Sequence, residues 1–147
     1  MVDRFVSDPL ELPDPRGEFA RADLAFYDVD HSGSSFEARV FLDNPEADVA
    51  TSREDPSYAG AFHIFGHGGC FGDEGHCDVP TGPADPFDLR PPHQLLPQVK
   101  LVVVTEAIRE LLASGRKEVA VTVVAETPGE RPNAVLAFTR IRLLTYK

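Results

Sequence analysis

Phe36-Glu37-Ala38-Arg39-Val40-Phe41-Leu42 places Phe36, Ala38, Val40 and Leu42 on one face and Glu37 and Arg39 on the other. An apolar period of two is the signature of a half-buried β-strand, because successive side chains leave a strand on opposite sides. Asn44-Pro45 stops the run, and a polar loop continues to Pro56. Upstream, Leu24, Phe26 and Val29 alternate in a shorter strand that ends in the turn Asp30-His31-Ser32-Gly33-Ser34. Downstream, Tyr58 to Phe65 reads as a third strand, largely apolar on both faces. Gly60 inside it marks a bulge or a close backbone approach.

The remainder follows the same logic. Residues 1–20 are rich in Pro, Asp and Glu, show no period and are expected as an extended N-terminal arm. Residues 66–97 form a long Gly/Pro-rich insert, interrupted by a short strand near Phe87 to Leu89. Irregular stretches of this length in compact domains are usually functional. Gln98 to Val104 is a Val-rich strand. Thr105 then offers an N-cap, Glu106 suits the first turn, and Gly115 suits the C′ position of a short helix near 106–114. Lys117 to Val124 alternates again, with Val119, Val121 and Val123 on one face, and Ala134 to Tyr146 supplies a long last strand. Six to eight strands with one short helix predict a mainly β chain. The expected fold is a single antiparallel β-sandwich, jelly-roll-like, over residues 21–147.

Composition narrows the functional classes. The 147 residues are 42 % hydrophobic and 26 % charged, a globular balance. A net charge of −10 repels phosphate backbones and anionic lipid headgroups, so nucleic acid and membrane are poor partners. No apolar run approaches the roughly 20 residues of a membrane span. The first residues carry acids where a secretion signal carries bases, so the chain is expected in the cytoplasm. Self-association is compatible with everything above. Phosphate-binding glycine loops, the nucleophile elbow and the paired-histidine zinc helix are all absent from the sequence.

The chemically unusual stretch is HIFGHGGCFGDEGHC, residues 63–77. It gathers His63, His67, Cys70, His76 and Cys77 within fifteen positions, interleaved with glycines that let a backbone fold donors inward. Three readings stand. Imidazole and thiolate donors suit zinc or copper in a tetrahedral site. Cys70 and Cys77 could instead close a small disulfide loop, worth about 2.5 kcal/mol. Or the histidines are ordinary polar residues satisfied by backbone groups. His63, beside Phe65 on an apolar face, reads as a core histidine rather than a ligand. His31 and His93 lie in separate turns.

The blocks SFEARVFLDNPEA (35–47), SYAGAFHIFGHGG (57–69) and PFDLRPPHQLLPQVKLVVVTEAIRELLASGRKEVAVTVV (86–124) resemble the C-terminal β-sandwich of type-3 copper proteins. That family includes the tyrosinases, plant polyphenol oxidases and molluscan haemocyanins, and the likeness runs from about residue 24 to 146. It implies an antiparallel sandwich. It also implies what is lacking, because the family's chemistry sits in a separate helical bundle whose six histidines hold two coppers. This chain has five histidines, none at i, i+4 on its predicted helix, so no catalytic residue carries over. In the family this domain covers the copper-site entrance, supports the catalytic bundle or mediates assembly. The resemblance therefore implies a non-enzymatic accessory module, acting through a tyrosinase-like copper oxidase subunit as partner. The departure is the insert GCFGDEGHC, which keeps a small copper- or zinc-binding protein as the second hypothesis.

Overall fold

In the computed structural model, residues 2–68, 72–83, 85–89, 93–128 and 135–147 are described. The strands are β1 (Val2–Val6), β2 (Leu10–Glu11), β3 (Arg21–Val29), β4 (Phe36–Leu42), β5 (Tyr58–Ile64), β6 (Gln98–Val103), β7 (Glu118–Val119), β8 (Val121–Glu126) and β9 (Arg140–Tyr146). One helix, α1 (Thr105–Ala113), follows β6. A four-stranded sheet in the order β1-β8-β4-β5 faces a three-stranded sheet in the order β6-β3-β9, with β2 and β7 as a two-stranded ribbon beside them. All pairings are antiparallel. The chain is mainly β, and the sandwich reading holds.

The core lies where the inner faces meet. Leu24 and Phe26 of β3, Ala38 and Val40 of β4, Phe62 of β5, Val102 of β6 and Val121 and Val123 of β8 are all buried. Phe26 carries the centre: its ring lies 4.9 Å from that of Phe62 and 5.6 Å from that of Phe138, edge-on in the second contact. Helix α1 closes one end through buried Ile108.

The polar face expected on β4 is not solvated. Arg39 and Phe41 point away from the inner core, yet both are buried, because the 43–57 loop folds back over this outer face. Phe41 packs there with Ala47, Val124 and Tyr58 in a second small core. Arg39 bonds the loop from beneath: its Nη1 donates to Thr51 O and its Nη2 to Val49 O, both at 2.9 Å.

Gly60 fulfils both roles expected of it. The β4–β5 register shifts between Val40 and Phe41, which pair with Gly60 and Tyr58. The glycine has φ +143°, and a Cβ there would lie 2.7 Å from Val102 Cγ1 on the facing sheet.

Other expectations change. The opening residues are extended but also paired, since β1 runs along β8 from Val2↔Glu126 to Val6↔Thr122. No strand forms at Phe87 to Leu89, where the chain turns. Thr105 does not cap α1: its Oγ1 accepts the Ala22 N–H at 3.0 Å and ties the helix start to β3. At the other end Gly115 behaves as read, with φ +81°. Its N–H donates to Leu112 O while the Arg116 N–H donates to Leu111 O, closing the helix. The Lys117–Val124 run divides at Ala120, held by Asp43 through both main chain and carboxylate. The last strand begins only at Arg140. Before it, Leu136 N–H donates to Asp3 Oδ2, and Phe138 stacks against Phe5 and Phe26.

Candidate functional site

The long excursion after β5 is held at its beginning, middle and end. Gly66 lies so close to the 33–35 turn that a Cβ would overlap Ser34 C and Gly33 O. Its N–H donates to Ser35 Oγ, the His67 N–H to His31 O and the Gly68 N–H to Gly33 O. In the middle, the His93 ring accepts the Leu95 N–H at Nδ1, which leaves Nε2 to donate to His76 O at 3.1 Å. At the end, buried His31 uses Nε2 against Leu96 O at 2.9 Å. Two histidines outside the 63–77 cluster thus serve as backbone staples for the insert. Their separate turns leave open in the sequence whether either joins the loop, because their partners, Leu96 and His76, lie elsewhere in the chain.

The cluster residues divide. His63 is exposed on β5, opposite Glu37 of β4, and not in the core. Phe62 and Ile64 take the inward face, which leaves His63 and Phe65 outward. His67 and His76 are exposed in the loop. Cys77 is disulfide-bonded, and its Sγ lies 3.3 Å from His76 Nδ1. Cys70, the only other cysteine, lies outside the described residues. Among the described residues no three His, Cys, Asp or Glu side chains are gathered to hold a metal. A sulfur committed to a disulfide also has no thiolate to offer.

These contacts make a prediction about the thiols. Alkylation of natively isolated protein is expected to label neither cysteine, with mass as the readout. Such a bond persists in oxidising surroundings. Two labelled thiols would return the loop to the reduced reading.

Beside His63 lies a groove of about 460 Å³ lined by Phe36, Glu37, His63, Phe65, Glu126 and Pro128. Glu126, Glu37 and His63 occupy one cross-strand line, since Glu37 pairs with both of the others. Carboxylates directly opposite each other repel, and two arginines offset that. Arg53 Nη2 donates to Glu37 Oε1, and Arg39 Nη2 approaches Glu126 Oε2 at 3.3 Å. His63 Nε2 stands 4.0 Å from Glu37 Oε1. The charges are therefore engaged with one another, and Ser35 and Thr127 also line the groove.

The exposed apolar side chains form the other notable group. Phe65, Phe87 and Leu89 are 90 %, 89 % and 95 % exposed, all in the excursion between β5 and β6. On β6, Val99, Leu101 and Val103 also stand out, at 54 %, 47 % and 54 %. The sequence marked β6 as Val-rich, but only the fold shows which side is left open.

No protein-family model and no curated protein matches the sequence. Solved structures do match in fold. A latent aurone synthase (polyphenol oxidase) from natural source aligns over 98 % of this chain with a TM-score of 0.57 and 16 % identity. The recombinantly expressed latent enzyme aligns over 97 % with a TM-score of 0.59 and 17 % identity. The same enzyme co-crystallized with hexatungstotellurate(VI) gives 0.60 and 16 %. In each case this chain spans only 24 % of the matched chain. At this identity the likeness is one of fold. The chain is similar to a domain-sized part of a polyphenol oxidase, in keeping with the C-terminal sandwich to which its sequence blocks pointed.

Proposed function

We propose that the chain is a non-enzymatic accessory module that docks, through its long excursion, on a tyrosinase-like copper oxidase subunit. The observation that carries this is the near-complete exposure of Phe65, Phe87 and Leu89. Burying each such side chain is worth roughly 1.5–3 kcal/mol, which water-facing positions forgo until a partner covers them. The backbone staples from His31 and His93 support the same reading, since they hold the excursion in place before docking. The polyphenol oxidase likeness supports the class of partner.

The test is direct. Serine at Phe65, Phe87 and Leu89 together should leave circular dichroism and the thermal midpoint unchanged. The same variant should weaken binding to a purified six-histidine copper oxidase subunit by a hundredfold or more, on the order of 3 kcal/mol. Equal binding by wild type and variant would remove the excursion from the interface. Diphenol oxidation by the metal-supplemented chain alone would overturn the non-enzymatic reading.

A further inference from the structure

Strand β6 closes one side of the three-stranded sheet, and its outer edge has no main-chain partner among the described residues. The hydrogen-bonding parity shows which residues face that edge. Val104 N–H donates to Ala22 O, so Val102 and Lys100, in step with it, turn their backbone groups toward β3. Val99, Leu101 and Val103 therefore aim theirs outward. The same residues carry the exposed apolar side chains of the strand, so one row offers both unpaired backbone groups and an apolar surface. An edge of this kind is a template for another strand unless charge, proline or a bulge protects it. Residues 98–103, QVKLVV, contain no proline and no acid, Lys100 is the sole charge, and the register shift against β3 is confined to the Gln98–Lys100 end.

We infer that β6 pairs antiparallel with β6 of a second copy, forming a closed symmetric dimer centred on Leu101. The row is its own complement. With Leu101 opposite Leu101 of the other copy, Val99 falls opposite Val103, and every outward N–H and C=O finds its mate. The apolar row then continues across the seam, and two three-stranded sheets join into one. Charge favours this site over other contacts between copies. Each chain carries −10, yet the segments that meet contain no acidic residue. The seam is narrow, below the roughly 1,200 Å² of a standard interface, so the dimer is weak and reversible. Because the net charges repel, salt strengthens it. This contact differs from the Phe65–Leu89 docking face, so either can fail without the other.

Sedimentation velocity of the full chain across a wide concentration range tests the pairing. Wild type should pass from monomer to dimer, with a dissociation constant on the order of micromolar, tightening at higher salt. Leu101→Lys places a like charge opposite itself at the two-fold axis. It should weaken the dimer at least tenfold while leaving the circular dichroism of the monomer intact. Val99→Lys, facing Val103 of the other copy, provides the same test should the first variant fail to fold. A wild-type monomer throughout, a dimer unaffected by the lysines, or open-ended higher oligomers would each overturn the inference.

Discussion

Gly60→Ala is expected to lower the free energy of unfolding by about 3 kcal/mol, with the urea dependence of that free energy unchanged. Two costs combine. At φ +143° the backbone occupies a region that side-chain-bearing residues rarely adopt, a strain of about 1–3 kcal/mol. The new Cβ would also press to 2.7 Å from Val102 Cγ1, where β5 crosses the facing sheet. The costs can be separated. Adding Val102→Ala removes the opposing methyls, so the double variant should recover about 1 kcal/mol relative to additivity and retain the backbone strain. A loss below about 0.5 kcal/mol for Gly60→Ala would mean that neither the bulge nor the inter-sheet contact is as tight as described.

Arg39→Met should cost about 2–3 kcal/mol, chiefly by releasing the 43–57 loop. Methionine keeps most of the aliphatic stem over the second core and deletes the guanidinium. Thr51 O and Val49 O then lose donors that came from beneath the loop. Glu126 contributes little to this, because its side chain is 56 % exposed and the pair is partly solvated. Glu126→Gln is accordingly expected to cost less than about 1 kcal/mol. Hydrogen exchange discriminates the mechanism. Amides such as Ala50 and Thr51, whose partners lie inside the loop, should lose protection in Arg39→Met well before those of β4. Uniform loss across both would show that the arginine acts on the whole sandwich.

The contrast between Gly60 and Arg39 shows how much the chain announces in advance. Gly60 was readable because a glycine inside an apolar strand has few reasons to be there, and each is local. Phe36–Leu42 and the Gly115 helix stop were readable for the same reason. Arg39 looked like the solvated side of an alternating strand. It is buried because a loop 10–12 residues further on folds over it, a fact with no signature in the period. His63 went wrong in a related way. Alternation shows that Phe62 and Ile64 share a face and His63 and Phe65 the other, but both faces contain apolar residues. Packing against the facing sheet chooses between them, and Phe62 meets Phe26. Thr105 was misread, and the pairing of the extended opening residues was not visible, because their partners, Ala22 and β8, are far away in sequence.

The candidate site was legible only in part. Sequence singled out residues 63–77 for their donors, whereas the fold makes the excursion notable for its apolar side chains and its histidine staples. Donor chemistry is conspicuous in one dimension. Exposure of Phe65, Phe87 and Leu89 exists only in three.

The central proposal is that this sandwich works by docking on a partner protein. Titration calorimetry with a purified tyrosinase-like copper oxidase subunit tests it most directly. Saturable binding at one chain per subunit is predicted, with a negative heat-capacity change from apolar burial that shrinks in the Phe65, Phe87 and Leu89 serine variant. No heat of binding at either of two temperatures, together with separate migration of the two proteins on gel filtration, would contradict it.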